Sequence, residues 1–318
     1  MTTPLASTPA PGTTASVHIC VCICTYRRTE LLTRLLARLL KLERPPGLFT
    51  LSAVVVDNDE AGSAAAVVDS FQNSDGLKIV YQREPERNFA CVRNRAVQAA
   101  TGDYIAFIDD DEVPESNWLR DLLATARQHA ADGALGPVRP YYDDPAPRWL
   151  VKSRLCDRPV HPTGLVLNWQ QMRTGNVLLQ RDIFEAGGIR FDPAFRTGGE
   201  DVDFFKRATA AGRKFVWCEE AAAYELVPPD RMRLAYHLRR ALLQGGISLK
   251  YGLGQNRLSD RLQVGVKSFL AILIYSLALL FVWLGGFYPF INCLVKLCHH
   301  LGRFSALCGR PLLRERKL

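Results

Sequence analysis

The chain has 318 residues, 48% of them hydrophobic, and a formal net charge of +8. That length suits one catalytic domain with an appendage, or two small domains, and excludes a chain too short or too polar to bury a core. The charge is unevenly placed: residues 231–318 hold 14 Lys/Arg against two Asp/Glu, whereas residues 1–230 hold 26 against 30. An acidic body with a basic tail points to a tail that meets nucleic acid or an anionic membrane. The long uncharged run inside that tail decides for the membrane and against nucleic acid.

Residues 1–16, rich in Thr, Pro, Ala and Ser, have neither a basic nor an apolar signal region and read as a disordered leader. The run VHICVCIC from Val17 predicts a parallel strand buried on both faces. Within it Cys20, Cys22 and Cys24 alternate, so they share one face as small apolar residues and lack the two-residue gap of a zinc knuckle. Nine cysteines, an odd number, read as free thiols in a reducing cytosol. Leucines at helical spacing predict a helix over 29–42 with Thr29 as its N-cap. LSAVVVD follows as a second strand, then an Ala-rich helix over 63–72 and a third strand, LKIVYQ. Asn88 caps a helix running to Ala100, DYIAFID is a fourth strand, and a helix over 116–131 precedes a short strand over 134–138. Strand and helix in alternation predict a doubly wound α/β sheet with ligands beyond the carboxyl ends of its strands.

Residues 140–170 are irregular and rich in Pro, Trp and Tyr. GNVLLQ reads as a strand, 199–211 as a helix opening with acidic residues, and 231–249 as a basic helix. Residues 268–295 carry no charge and lie between Lys267 and Lys296. The run exceeds the roughly 20 residues needed to span a bilayer. Gly285, Gly286 and Pro289 interrupt it, so a spanning helix and a re-entrant or interfacial hairpin both stay open. Positive charge flanks both ends and gives no orientation.

Three strand ends are polar: Thr25-Tyr26-Arg27-Arg28, Asp57-Asn58-Asp59 and Asp109-Asp110-Asp111-Glu112. Four consecutive carboxylates repel one another and are costly at a buried strand end without a cation. Hard oxygen ligands of this kind favour Mg²⁺ or Mn²⁺, with substrate phosphates completing the shell. A solvated acidic turn is the alternative.

The segments CICTYRR, VVVDND, NFACVRNRAVQAATGDYIAFIDDDEVP with its Asp-x-Asp, and GGEDVDFFKRA resemble glycosyltransferase family 2 in order and spacing over residues 17–211. GNVLLQRDIFEAGGIRFDPAF and the Arg-rich helix beyond it look like the non-processive branch that builds bacterial exopolysaccharide. The Gln-x-x-Arg-Trp motif of processive synthases is absent. The resemblance implies a GT-A fold: a mostly parallel α/β sheet flanked by helices over 17–230, with a nucleotide-binding half (17–138) and an acceptor half (139–230). A hydrophobic helical membrane module over 231–318 follows. It implies inverting, metal-dependent transfer from a nucleotide-diphosphate sugar, UDP-sugar favoured, to a lipid-linked saccharide acceptor. The setting implied is exopolysaccharide or surface-glycan synthesis at a bacterial inner membrane rich in anionic lipid, with the catalytic domain cytoplasmic.

Carried over by residue, Thr25, Tyr26 and Arg27 border the nucleobase and ribose, and Asp57 accepts a hydrogen bond from the base with Asp59 beside it. Arg93 and Asn94 face the nucleotide-sugar. Asp109 contacts ribose and metal, Asp110 is the middle member of the donor set, and Asp111 binds the Mn²⁺ or Mg²⁺. Inversion needs a base for the acceptor hydroxyl and a handle on the leaving diphosphate. The resemblance gives the base role to Asp201, with Glu200 as its competitor; acidic residues also suit a helix N-terminus without any chemistry. Two other readings compete. A nucleotidyltransferase would show a glycine-rich, lysine-bearing loop after the first strand, which is missing. A non-catalytic, membrane-bound sugar-nucleotide scaffold is disfavoured by Asp57, Asp109, Asp111 and Asp201 occurring together.

Overall fold

Val17–Thr25 forms the central strand β1. Its apolar residues go both ways: Ile19, Val21 and Ile23 enter one core cluster, while Cys20 and Cys22 enter the other with Cys24 packed beside them. The three cysteines do share one face. This computed structural model describes residues 16–72, 76–185, 188–195, 198–252, 258–310 and 312–313, so the expected leader lies almost wholly outside the described residues.

Helix α1 (Thr29–Leu39) buries Leu32, Leu35, Leu36 and Leu39, the stripe that the spacing predicts. Its N-cap is Arg28, and Thr29 is the first helical residue. Strand β2 (Phe49–Asp57), helix α2 (Ala65–Phe71), strand β3 (Lys78–Arg83) and helix α3 (Phe89–Ala99) follow. The Asn88 side chain accepts the Ala90 N–H and caps α3 as expected. Strand β4 (Tyr104–Phe107) leads into β5 (Glu112–Pro114), helix α4 (Trp118–Gln128), β6 (Gly133–Leu135) and β7 (Val138–Tyr141). After the short helix α5 (Arg148–Ser153) come β8 (Val177–Gln180), α6 (Glu200–Ala210), β9 (Phe215–Trp217) and β10 (Ala223–Leu226). Three long helices close the chain: α7 (Leu234–Gly252), α8 (Leu258–Val282) and α9 (Phe287–Leu307).

The main sheet has seven strands in the order β3-β2-β1-β4-β8-β6-β9. Only β8 runs against its neighbours β4 and β6, so the sheet is mostly parallel. A second sheet, β5-β10-β7, was not foreseen; strands of three or four residues are too short to show a period.

Contacts divide the chain into two compact units, one of Met1–Arg139 with Arg158–Glu225, the other of Pro140–Asp157 with Leu226–Leu318. Residues 140–157, expected in the acceptor half, therefore group with the C-terminal helices. In that second unit the uncharged run 268–295 is not one helix. It breaks after Val282 into a 3₁₀ turn, Trp283–Gly285, and Gly286 at φ 107 starts α9. Pro289 falls in the first turn of α9, where an N–H has no intrahelical partner to lose. Helices α7 and α9 cross through glycines: a Cβ on Gly245 would lie 2.0 Å from the His299 carbonyl oxygen, and one on Gly302 2.0 Å from that of Leu242.

Candidate active site

Parallel strands end together at one edge, and here the ends of β1, β2 and β4 carry the polar segments. The contacts join two of these ends directly. Thr25 Oγ1, buried, donates to Asp110 Oδ2 at 2.7 Å. Arg28 Nη1 donates to Asp110 Oδ1 at 2.9 Å and to Asp111 Oδ2 at 3.0 Å. Arg28, the last residue of the polar end of β1, is thus the bridge across the acidic run.

Burial pushes the Asp110 carboxyl up and outweighs the Arg28 and Thr25 contacts, which pull it down. Burial and then the nearby Asp109 charge raise that of Asp111 to about 6. Glu112 is fully buried, and burial followed by Asp109 raises its carboxyl well above the usual range. Its Oε1 has no hydrogen-bond partner among the described residues. Arg158 stands 3.9 Å from that oxygen and ion-pairs with Glu225. A Cβ on Gly175 would come within 2.8 Å of Glu112 Oε1 and 3.3 Å of Asp109 Oδ2, so only glycine lets the backbone approach these two carboxylates.

Such crowded carboxylates with an orphaned buried oxygen fit a divalent cation. Among the described residues, no three His, Cys, Asp or Glu side chains gather closely enough to hold a metal alone. Asp109 and Asp111 would therefore supply a minority of the ligands, the usual arrangement for Mg²⁺ at a diphosphate.

Beside this cluster a cavity of about 340 Å³ is lined by Arg27, Asn58, Asp59, Pro85 and Arg87, among others. Arg27, at φ 55, binds Asp59 through both Nε and Nη2 at 3.1 Å, and this contact holds the Asp59 carboxyl below its usual range. Arg27 and Arg87 lie 5.1 and 5.3 Å from the Tyr26 ring centre, and Arg87 donates to the Tyr26 hydroxyl at 2.8 Å. Asp57 ends β2. It is fully buried, and its oxygens accept the Asp59 N–H (2.9 Å), the Ala64 N–H (2.7 Å) and the Tyr81 hydroxyl (3.1 Å). It shapes the cavity's loop from within, and Asn58 and Asp59 line the space.

On α3, Arg93 ion-pairs with Glu200 at the start of α6. Glu200 is 3% exposed, and its Oε2 has no partner among the described residues. The Asn94 amide donates to the Phe191 carbonyl at 2.7 Å and accepts the Phe191 N–H at 3.0 Å, fixing that loop. Gly198 and Gly199, at φ 122 and 94, turn the chain into α6. Asp201 Oδ1 accepts the Val202 N–H, while Asp203 is held by Arg207 one turn on.

The order of these features along the chain has a counterpart. Residues 20–191 match the model of the family described as "Glycosyl transferase family 2". The chain belongs to that family. It is a glycosyltransferase of GT-A fold.

It is 38% identical over 234 residues to the succinoglycan biosynthesis protein ExoM of Rhizobium meliloti (strain 1021), covering 72% of this chain and 74% of that protein. It is 27% identical over 194 residues to the amylovoran biosynthesis glycosyltransferase AmsB of Erwinia amylovora, covering 55% and 60% of the two chains. Of the O-antigen biosynthesis protein RfbC of Myxococcus xanthus it spans only 16%, at 25% identity. Among solved structures, S. aureus TarS 1–349 in complex with UDP-GlcNAc superposes with a TM-score of 0.53 at 16% identity, with 92% of each chain covered. That likeness is one of fold.

Sequence reasoning missed Arg28, Arg87, Arg158 and Gly175 as parts of the site. Arg87 had a signal, since it directly precedes the Asn88 cap; Arg158 and Gly175 had none.

Proposed function

We propose that this enzyme is an inverting, metal-dependent glycosyltransferase. It moves a sugar from a nucleoside diphosphate, UDP in preference, to a saccharide acceptor carried on a lipid, for exopolysaccharide or a related surface glycan. The observation that carries the reading is the bonded cluster of Thr25, Arg28, Asp110 and Asp111 at the sheet's carboxyl edge, with Asp109 beside it. The names of the succinoglycan and amylovoran relatives support the glycan class, and the UDP-GlcNAc complex of the fold neighbour supports the nucleotide.

In this reading the nucleobase and ribose enter the cavity beside Tyr26, whose ring is flanked by Arg27 and Arg87. Asp109 and Asp111 would hold a divalent ion, which would supply positive charge against the leaving diphosphate. Arg28 brings a fixed positive charge to the same place. Asp201 takes the proton from the acceptor hydroxyl at Oδ2. The acceptor oxygen bonds to the anomeric carbon as the bond to phosphate breaks on the opposite face, its electron pair leaving with the diphosphate. Glu200, buried and ion-paired to Arg93, suits a positioning role better than that of base. The basic tail and the exposed apolar helix α8 support attachment at the cytoplasmic face of the inner membrane.

The test is turnover by the purified full chain, supplied with UDP-, GDP- and dTDP-sugars, Mn²⁺ and a lipid-linked saccharide. Transfer with an inverted anomeric centre is expected from one UDP-sugar. Binding of a sugar nucleotide without transfer or hydrolysis would point to the scaffold instead.

A further inference from the structure

Helix α8 presents an unusual surface. Among the described residues it is the one helix long and apolar enough to cross a membrane, over Ser259–Gly285, and 6% of its most apolar window is buried. Leu262, Ile274, Leu277, Leu280 and Phe281 are each more than 60% exposed. A soluble monomer seldom shows so continuous an apolar face.

The partner of its other face decides how that surface can be used. Helix α9 folds back along α8: Phe269 meets Phe304, Tyr275 meets His300, and the Cys293 thiol reaches the Tyr275 carbonyl. On its other side α9 packs against α7, with Gly245 against the His299 backbone and Gly302 against the Leu242 backbone, too close for a side chain to fit. The three helices therefore pack as one slab. Tyr275 sits near the middle of Ser259–Gly285. Lys296 Nζ lies 5.9 Å from its ring centre, and the His300 ring lies 5.8 Å away. If α8 crossed the bilayer, Lys296 would be carried to mid-depth beside Tyr275, and Arg303 would be drawn in next to Phe304, which meets Phe269. Charged groups at that depth are strongly disfavoured.

Resting on the membrane reading above, we infer that α8 lies in the plane of an anionic phospholipid bilayer, with its outer face sunk into one leaflet, and does not cross it. At 25 residues α8 is about 38 Å long, and lying flat it offers that whole length to the acyl boundary. Helix α9 backs it, and the basic residues of α7 and α9 stand at headgroup level. The 14 Lys/Arg and two Asp/Glu from Arg231 onward match negatively charged lipid, and no comparable complementarity favours a second copy of the same basic tail. Amphipathic structures of this kind lie roughly 5–10 Å into the headgroup–acyl boundary.

The test is depth. The full chain carrying Cys308→Ser receives one cysteine at a time, by Leu270→Cys, Leu277→Cys or Leu284→Cys, all exposed positions. Each is spin-labelled and bound to vesicles of phosphatidylcholine and phosphatidylglycerol, and the spectrum of the Cys308→Ser parent is subtracted. Relative collisions with oxygen and with a water-soluble nickel chelate report the depth. The same shallow depth at all three sites is the expected result. A graded profile, deepest near Leu270 and returning to water at Leu284, means that α8 spans and overturns the inference while leaving membrane attachment intact. Labels in water at all three sites defeat the membrane reading itself. Labels already shielded without lipid, in a chain that sediments as a dimer, assign the face to a second copy and also overturn it. Neutron reflectometry of the unsubstituted chain on a supported bilayer guards against a misfolded variant: protein density confined to one leaflet is expected, and density through both leaflets overturns the inference.

Discussion

Arg93 of α3 and Glu200 of α6 form an ion pair across 107 positions of sequence, and this pair ties the helix before the Asp-x-Asp segment to the start of the second acidic cluster. Both side chains are largely shielded, at 15% and 4% exposure. Breaking such a pair leaves an uncompensated charge and costs roughly 3–5 kcal/mol. Glu200→Gln is therefore expected to lower the urea midpoint clearly. A stability equal to that of the parent would mean that the pair is not made in solution.

Asp201 is separated from Glu200 by function. Asp201→Asn keeps the shape but cannot accept a proton, so turnover should fall by about two to four orders of magnitude. Donor affinity should be nearly unchanged, because the nucleotide contacts are assigned to Tyr26, Arg27 and Arg87. Asp203→Asn, which only frees Arg207, should be much milder in turnover. Titration calorimetry with the UDP-sugar, beside a transfer assay, checks both. Equal losses of binding and turnover in Asp201→Asn would contradict the base role.

The metal assignment predicts that EDTA abolishes transfer and that added Mn²⁺ restores it. In Asp111→Asn, Mn²⁺ should no longer tighten UDP binding, as thermal shift with UDP and Mn²⁺ separately and together would report. Full activity of Asp111→Asn in EDTA would remove the metal from the mechanism.

The Asp111 carboxyl, raised from its ordinary 3.8 to about 6, sets a pH dependence. A carboxyl whose folded pKa is the higher one binds its proton more tightly in the native state. Metal-free stability should therefore fall as pH rises from about 4 to 6, and the loss stays in full above that window. Asp111→Asn removes this loss, so its stability advantage over the parent should grow between pH 4 and 6 and then level off. Urea midpoints in metal-free buffer measure the difference; an advantage that does not change with pH refutes the assignment.

The crossing of α7 and α9 predicts an intolerance to side chains. Gly302→Ala places a Cβ against the Leu242 carbonyl and should destabilise the C-terminal unit by about 1–3 kcal/mol, or more if the helices cannot part. Gly285→Ala, with nothing within 4 Å of the added carbon, is the control and should leave stability unchanged. Proteolysis rates at the C-terminal helices would separate the two.

The local pattern of the chain was enough for the alternation of buried strands and amphipathic helices, the Asn88 cap, the shared face of Cys20, Cys22 and Cys24, and the acidic ends of β4 and α6. These depend on residues a few positions apart, whose period and chemistry are visible without the fold. The tertiary structure decided the rest. It alone pairs Arg28 with Asp110 and Asp111, brings Arg158 to Glu112, sets Gly175 against two carboxylates and inserts β8 between β4 and β6. It turned Asp57 and Asn94 inward, because backbone groups satisfy them there, from the loop just after β2 for Asp57 and from Phe191, 97 positions on, for Asn94. It also chose between the spanning helix and the hairpin that Gly285, Gly286 and Pro289 had left open, by ending α8 at Val282 and starting α9 at Phe287. Hydropathy counts apolar residues but not the left-handed turn at Gly286, and a basic face on a neighbouring helix matters only once the two are packed together.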